Sequence, residues 1–191
     1  MSDRGTGCRA VFRGRWAVAV LTGLLAGAAA QSPTYKVGRT PTADEVKALS
    51  ITIFPDGTGL PDGSGTAAEG KEVYARRCSE CHGTTGQGGE SSALVGGQGS
   101  LATAKPLKTV GSYWPYATTL WDYVNRTMPF HNPGILTDDQ VYAVVAYVLH
   151  LNEIVAENEE MNRRTLPGVR MPNRDGFVND DRPDVGSESE K

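Results

Sequence analysis

The sequence predicts an all-α fold, because helix signals dominate it and strand signals are almost absent. A threonine followed three residues later by glutamate or glutamine forms a capping box, which marks a helix start, and such boxes begin at Thr42, Thr66 and Thr137. Residues 141–152 form the most apolar helical segment after the N-terminal thirty residues. Only residues 50–54 alternate in the manner of a short strand. At 191 residues, the chain is long enough for one domain or two small ones.

These signals place the helices in chain order. The first capping box opens a short helix that ends near Leu49, and the second opens a helix that runs into Cys78. Pro115 suits the first position of a helix over residues 116–126, where its missing N–H has no cost. The third box then opens the apolar helix, which is the last helix of the predicted domain.

Composition divides the rest of the chain. Residues 57–65 have the composition of a flexible linker, and residues 83–99 form a glycine-dense loop without helical or strand period. The predicted segments are a signal peptide (1–30), an N-terminal extension (31–65), a helical domain (66–153), a C-terminal extended arm (154–178) and a disordered tail (179–191).

Residues 1–30 have the three parts of a secretory signal peptide. Four arginines precede a short apolar run from Trp16 to Gly27, and Ala28-Ala29-Ala30 forms a small-residue cleavage site. The run is short for a bilayer span, so we expect cleavage near Ala30 and export to the periplasm; a retained membrane anchor is the alternative. Cleavage removes Cys8, four arginines and one aspartate, which changes the formal net charge from −3 to about −6. This acidic balance argues against nucleic acid or an anionic membrane as partner.

The segment Cys78-Ser-Glu-Cys81-His82 has the C-x-x-C-H spacing of covalent haem attachment. Two thiols three residues apart can add across the two vinyl groups of one haem, and the next histidine can be the proximal ligand of the iron. A zinc site would need a second Cys or His pair, which the sequence lacks. A redox-active Cys-x-x-Cys would need a βαβ context, whereas these flanks are helical and glycine-rich. The motif therefore predicts one covalently bound haem c held by Cys78, Cys81 and His82.

The sixth ligand of the iron has several candidates. Five side chains could supply it: Met128, His131, His150, Met161 and Met171. Met128 directly precedes Pro129, which disfavours helical geometry and predicts an extended loop there. His131 is the second candidate and would give a lower potential, His150 is expected at the haem rim, and the other two methionines lie in the charged C-terminal region. With both axial positions filled, the site would pass single electrons and leave no position open for oxygen or peroxide.

One helix face joins the haem motif to a wider pattern. Gly70, Tyr74 and Cys78 are spaced four residues apart, and a glycine on their shared face lets another helix approach closely. The last helix offers three residues for this contact: Ala143, Ala146 and Tyr147. The pattern resembles the class I cytochromes c, and the resemblance implies crossed N- and C-terminal helices around one covalent haem, here with extended N- and C-terminal arms. A loop methionine before proline is the sixth ligand in that family, which favours Met128.

The chain departs from the class I pattern after the haem motif. Class I cytochromes often carry a proline here, and its carbonyl accepts the N–H of the proximal histidine. The corresponding stretch, Ser91–Leu94, lacks proline. We therefore expect a different backbone carbonyl to orient His82.

Longer strings are similar to the cytochrome c subunit of sulfane dehydrogenase in the periplasmic Sox system of sulfur oxidation, to which cytochromes of sulfite dehydrogenases are related. These strings are Pro55-Asp-Gly-Thr-Gly-Leu-Pro61, Val95-Gly-Gly-Gln-Gly99, Lys108-Thr-Val-Gly-Ser-Tyr-Trp-Pro-Tyr116, Met128-Pro-Phe130 and Met171-Pro-Asn-Arg-Asp-Gly-Phe177. The resemblance covers roughly residues 36–182 and implies a non-catalytic electron-transfer subunit. Its partner would be a molybdenum-cofactor subunit that oxidises the sulfur substrate, and its electrons would pass to a downstream cytochrome c or oxidase.

Three functions are consistent with these features. The first is the electron-accepting subunit of a molybdenum sulfur dehydrogenase, the second is a free-standing periplasmic carrier to a terminal oxidase, and the third is a haem enzyme such as a thiosulfate dehydrogenase. Residues 36–62 and 155–178 favour the first, because few intramolecular contacts are expected to offset the entropy of ordering them. We expect both segments to pack partly on a second protein.

Overall fold

A computed structural model of the chain describes residues 37–178 and divides the chain into two compact units between Leu49 and Ser50. The predicted signal peptide and disordered tail lie outside the described residues. In the first unit, helix α1 covers Ala43–Leu49 and contains no buried residue. Its capping box forms as predicted, since the Glu45 N–H donates to Thr42 Oγ1 at 3.2 Å and the Thr42 N–H donates to Glu45 Oε2 at 2.8 Å.

The second unit contains the other helices and one small sheet of the described part. In chain order its elements are strand β1 (Ser64–Gly65), helix α2 (Ala67–Arg77), helix α3 (Ser79–His82), helix α4 (Ala117–Thr127), helix α5 (Asp138–Leu151), strand β2 (Met161–Asn162) and a 3₁₀ turn (Leu166–Gly168). The strands pair antiparallel, with Ser64 opposite Asn162 and Gly65 opposite Met161. The domain is thus mainly helical, as the sequence predicts.

Helices α2 and α5 cross at Gly70. A Cβ added at Gly70 would overlap the carbonyl group of Ala143 and lie 2.9 Å from Tyr147 Cβ, so the crossing depends on glycine. The rings of Tyr74 and Tyr147 pack next to it with centroids 5.2 Å apart. The predicted contact between the first and last helices of the domain is therefore confirmed.

Helix α4 begins one residue later than predicted. Tyr116 is its N-cap in an extended conformation and Ala117 is the first helical residue, so Pro115 lies before the helix and not at its first position. The buried face includes Leu120 and Trp121, whereas Tyr123 is 47% exposed. The helix face with Leu120 and Trp121 therefore packs in the core.

Residues 50–65 differ from prediction in two ways. Residues 50–54 form no strand, because no neighbouring strand is available to pair with them. A turn follows, in which the Phe54 N–H donates to the Thr58 carbonyl at 2.9 Å. The predicted flexible linker is wrong as well, since Leu60 is buried and residues 64–65 form β1. Pairing with β2 requires the C-terminal segment, and local composition cannot reveal such a partner.

The segment after α5 is part of the core. Its buried apolar residues are Val155, Met161, Leu166, Val169 and Met171, and the 3₁₀ turn contacts α4. The expectation that residues 155–178 have few intramolecular contacts is therefore wrong for the part up to residue 171. Apolar side chains spaced irregularly between prolines and charges give no helical or strand period, yet they cover surface that α4 and α5 leave open.

Within residues 37–178, no helix combines the length and the apolar character that a membrane span requires.

Candidate haem site

The C-x-x-C-H motif lies at a break between two helices. Cys78 ends α2 with its N–H donating to the Tyr74 carbonyl at 2.9 Å, and the single turn α3 follows. The N–H groups of Cys81 and His82 both donate to the Cys78 carbonyl, at 3.2 and 3.0 Å. One helical turn thus places two thiols on neighbouring positions with the imidazole directly after them. Both cysteines are free and half-buried.

The imidazole of His82 is oriented by the loop that follows the motif. His82 Nδ1 lies 2.9 Å from the Ser92 carbonyl oxygen, a contact in which the ring nitrogen donates. A proton on Nδ1 leaves Nε2 unprotonated, which is the form that can bind a metal. The structure therefore identifies Ser92 as the source of the orienting carbonyl that the sequence left open.

Backbone hydrogen bonds fold this loop tightly onto the motif. The Ser91 N–H donates to the Cys81 carbonyl at 2.9 Å, and the Gly88 N–H donates to the His82 carbonyl at 2.8 Å. The Tyr74 hydroxyl donates to the Gly83 carbonyl at 2.8 Å. A Cβ added at Gly89 would lie 2.9 Å from the Cys81 carbonyl oxygen, which explains one glycine in the dense run.

The environment of Cys78 disfavours thiol redox chemistry. Burial, and then the proximity of Cys81, raise the pKa of the Cys78 thiol to about 11 from its ordinary value of 9.0. Reactive cysteines require the opposite, a lowered pKa that favours the thiolate. Among the described residues, no group of three Cys, His, Asp or Glu side chains is placed to hold a metal ion such as zinc. Both alternatives to haem attachment therefore lack support from the site.

Met128 lies where the sequence predicts it. It is the C-cap of α4, in extended geometry with φ −122° and ψ 145°, and its N–H donates to the Val124 carbonyl at 3.0 Å. The residue is half-buried. His131, three residues further, is exposed, and its ring packs edge-on against Phe130 with centroids 5.3 Å apart. Both candidates therefore lie at or just beyond the end of α4, outside regular helix.

The other three candidates have structural roles. Met161 and Met171 are completely buried within the apolar core, at 0% and 1% exposure, where methionine fills irregular space. His150 Nδ1 lies 3.1 Å from the Val155 carbonyl oxygen at the end of α5. These side chains are committed to packing and to a helix end.

Sequence reasoning missed Asn152, which joins the loop to the last helix. Its Nδ2 donates to the Leu94 carbonyl at 3.1 Å and to the Val148 carbonyl at 2.9 Å, and the side chain is buried. An asparagine at the end of an apolar helix is a C-cap signal that could have indicated it.

The aromatic residues near α4 mostly pack with one another and with cations. Trp114 and Tyr123 form an edge-on pair at 5.5 Å, and the Arg174 guanidinium lies 4.7 Å from the centre of the Tyr116 ring. Trp121 Nε1 is buried without a hydrogen-bond partner in the described part of the chain. The two free thiols and the oriented imidazole on one helical turn are the groups that attach haem c and bind its iron, so the residues present fit haem.

Comparisons with known proteins agree with this site. The Cytochrome c family model matches residues 67–152. A chain in the crystal structure of the sulfane dehydrogenase SoxCD from Paracoccus pantotrophus is 39% identical, with a TM-score of 0.71, over 78% of this chain and 74% of that chain.

Thiosulfate dehydrogenases are more distant relatives. Those of Psychrobacter arcticus and Stutzerimonas stutzeri are 26% and 28% identical over 116 and 113 residues, which are 59% and 56% of this chain. The match spans only about a third of their own length, 35% and 33%. The motif, the crossed helices and these similarities together show that the chain belongs to the cytochrome c family, whose members carry covalently bound haem c.

Proposed function

We propose that this chain is a periplasmic monohaem cytochrome and the electron-accepting subunit of a molybdenum-dependent sulfane or sulfite dehydrogenase. The similarity to the SoxCD chain carries this proposal. It covers 78% of the sequence, so it extends well beyond residues 67–152 into the flanking segments. A generic electron carrier would be expected to share the cytochrome domain alone.

The proposed roles follow from the chemistry of the side chains. Cys78 and Cys81 would attach the haem through thioethers, and His82 would bind the iron through Nε2 while the Ser92 carbonyl holds its Nδ1 proton. Met128 would be the sixth ligand, because its extended backbone after α4 frees the thioether from the helix. When bound, haem supplies an iron that changes its charge by one electron. A neutral, soft thioether favours the ferrous state and raises the potential.

The ligand assignment is tested by Met128→Ala. Wild-type ferric protein should show the weak sulfur-to-iron charge-transfer band at the red edge of the spectrum, and the variant should lose it and bind carbon monoxide when reduced. His131→Ala is the matched control from the same loop and should retain the band. A wild-type spectrum of the bis-imidazole type would instead make His131 the ligand and contradict the assignment of Met128.

The proposed partner is tested by removing residues 31–49, which ends at the boundary between the two units. Residues 50–65 should be kept, because Leu60 and β1 belong to the core of the second unit. We expect weaker association with the molybdenum subunit and an unchanged haem spectrum. Equal affinity and equal electron-transfer rate for both proteins would show that this part of the extension does not dock. Failure of the full-length chain to accept electrons from that subunit would favour a free carrier to a terminal oxidase.

The similarity to thiosulfate dehydrogenases favours a second candidate function, a haem enzyme acting on a small sulfur anion. Such an enzyme needs an iron position that is open or readily opened. A carbon monoxide difference spectrum of the reduced wild-type protein separates the two functions, since an electron carrier with both axial positions filled should give little change.

A further inference from the structure

Arg126 connects the helix that carries Met128 to the N-terminal extension. Its Nε donates to Asp122 Oδ1 at 2.7 Å and its Nη2 donates to Asp122 Oδ2 at 2.6 Å, which is a bidentate pair one helical turn apart. Nη2 also donates to the Ile51 carbonyl oxygen at 3.2 Å. One guanidinium therefore bridges the last turn of α4 and a segment 75 positions earlier in the chain.

This ion pair differs from the others in the second unit. The side chains of Arg126 and Asp122 are 36% and 21% exposed, whereas those of Arg163 and Asp62 are 58% and 90% exposed. Exposed single pairs contribute little to stability, while bidentate and partly buried pairs hold a defined geometry. The Arg126 contact is thus suited to positioning.

The segment that Arg126 reaches is itself held in place. The Tyr142 hydroxyl of α5 donates to the Pro61 carbonyl at 2.9 Å, and Leu60 is buried in the core. The Thr118 hydroxyl, near the start of α4, contacts the Pro55 carbonyl at 3.5 Å. Residues 51–61 therefore run along α4, with Pro55 near the start of that helix and the Ile51 carbonyl near its end, and the guanidinium bonds to a segment that the core holds from Pro55 onward.

A hydrogen bond to a group outside the helix matters most at the last turn of α4. Met128 follows this turn as the C-cap, and exposed Phe130 lies beyond it. The Thr127 hydroxyl donates back to the Tyr123 carbonyl of the same helix, whereas Arg126 donates both to Asp122 within the helix and to the Ile51 carbonyl outside it. Helix ends fray readily, and fraying of this turn would move the methionine backbone.

We propose that Arg126 is a positioning residue that uses the Ile51 carbonyl to hold the end of α4, and thereby keeps Met128 on the iron. This inference rests on the proposed assignment of Met128 as sixth ligand. It gives residues 51–61 a role in the haem site that is separate from docking. Because Arg126 bonds to Asp122 and the Ile51 carbonyl and not to the C-x-x-C-H motif, its removal should raise the fraction of protein with the methionine dissociated, without altering the haem attachment.

Full-length, haem-loaded Arg126→Ala and Arg126→Lys test this role, with Arg163→Ala as the control for losing a surface ion pair. The rate of carbon monoxide binding to reduced protein should rise about three- to ten-fold in Arg126→Ala, the range expected for one net hydrogen bond lost. The rate for Arg126→Lys should lie between those of wild type and Arg126→Ala, because an ammonium can donate but cannot form the bidentate pair. Arg163→Ala should bind carbon monoxide at the wild-type rate.

Heating separates positioning from general stability. In Arg126→Ala the sulfur-to-iron band should disappear at a lower temperature than the helical circular dichroism, and in wild type the two should be lost closer together. The inference is overturned if Arg126→Ala and Arg126→Lys bind carbon monoxide at the wild-type rate, or if band and helicity fall together by the same amount. A wild-type protein without the band would overturn both this inference and the ligand assignment, whereas wild-type band with unchanged variants would overturn this inference alone.

Discussion

A methyl group added at Gly70 would test the helix crossing on which the domain is built. The new Cβ would overlap the Ala143 carbonyl group and lie 2.9 Å from Tyr147 Cβ. Since two of these obstacles are backbone atoms, α2 and α5 must separate, and overpacking of this kind costs about 1–3 kcal/mol or more. Alanine returns roughly 1 kcal/mol of helix propensity. Because the new Cβ would overlap backbone atoms outright, the upper end of this range applies, and after subtraction of the propensity gain we expect Gly70→Ala to lower the free energy of unfolding by about 2 kcal/mol.

Chemical denaturation of the haem-loaded protein, followed by circular dichroism, measures this change. Gly168→Ala is the matched control, because a Cβ there meets no atom within 4 Å and the backbone needs no left-handed geometry. It should change the free energy of unfolding by less than about 0.5 kcal/mol or stabilise slightly. If Gly70→Ala were as stable as Gly168→Ala, the close crossing at Gly70 would not limit the packing of α2 and α5.

Two further substitutions probe the core. Met161→Ala should reduce the free energy of unfolding by about 2–5 kcal/mol, as expected for a completely buried methionine, yet retain the sulfur-to-iron band; loss of the band would make Met161 an iron ligand. Burial, and then nearby Asp138, raise the pKa of Tyr142 to about 12 from 10.0, so its stabilising contribution is complete below pH 10 and is lost as the pH rises through 12. The free energy of unfolding, measured against pH, should therefore fall less steeply between pH 10 and 12 in Tyr142→Phe than in wild type. An equally steep fall in both proteins would show that Tyr142 does not cause this loss of stability.

The three helix starts that carry capping boxes could be predicted, because the signals that set them are local. The Glu69 N–H donates to Thr66 Oγ1 at 3.3 Å, the Thr66 N–H donates to Glu69 Oε2 at 2.8 Å, and α2 begins at Ala67. Four consecutive residues contain the whole of this arrangement, so the sequence alone predicts it. The position of Met128 was predictable for the same reason, since the following proline excludes helical geometry.

The carbonyl that orients His82 could not be predicted, because every residue has one. Nothing about the side chain of Ser92 distinguishes its backbone oxygen from those of its neighbours. The choice depends on how the loop closes, through bonds such as Ser91 N–H to the Cys81 carbonyl. Loop closure is decided by several positive-φ glycines acting together, and no single residue carries that information.

Composition alone is a poor guide to whether the flanking segments are ordered by contacts within their own chain. Gly- and Pro-rich sequence was expected to need a partner protein for its order, yet Leu60, Leu166 and Met171 are buried in the core of the same chain. A few large apolar side chains are sufficient here, because each buried one offsets the ordering of one or two residues at about 1.5–3 kcal/mol. Irregular spacing conceals such residues from a search for periodicity.

The intramolecular contacts of the flanking segments limit which residues could dock to a second protein. Residues 51–61 and 155–171 already have intramolecular contacts, so their order is no longer an argument for a partner. Helix α1 is different, because it has no buried residue while Val46 and Leu49 are 53% and 81% exposed. A short helix of seven residues is marginal in water without tertiary support, and apolar residues on it gain stability only if something covers them. Residues 37–49 are therefore the segment for which we still expect contact with a second protein. A truncation that ends at Leu49 tests this contact and leaves the hydrogen bond between Arg126 and Ile51 in place.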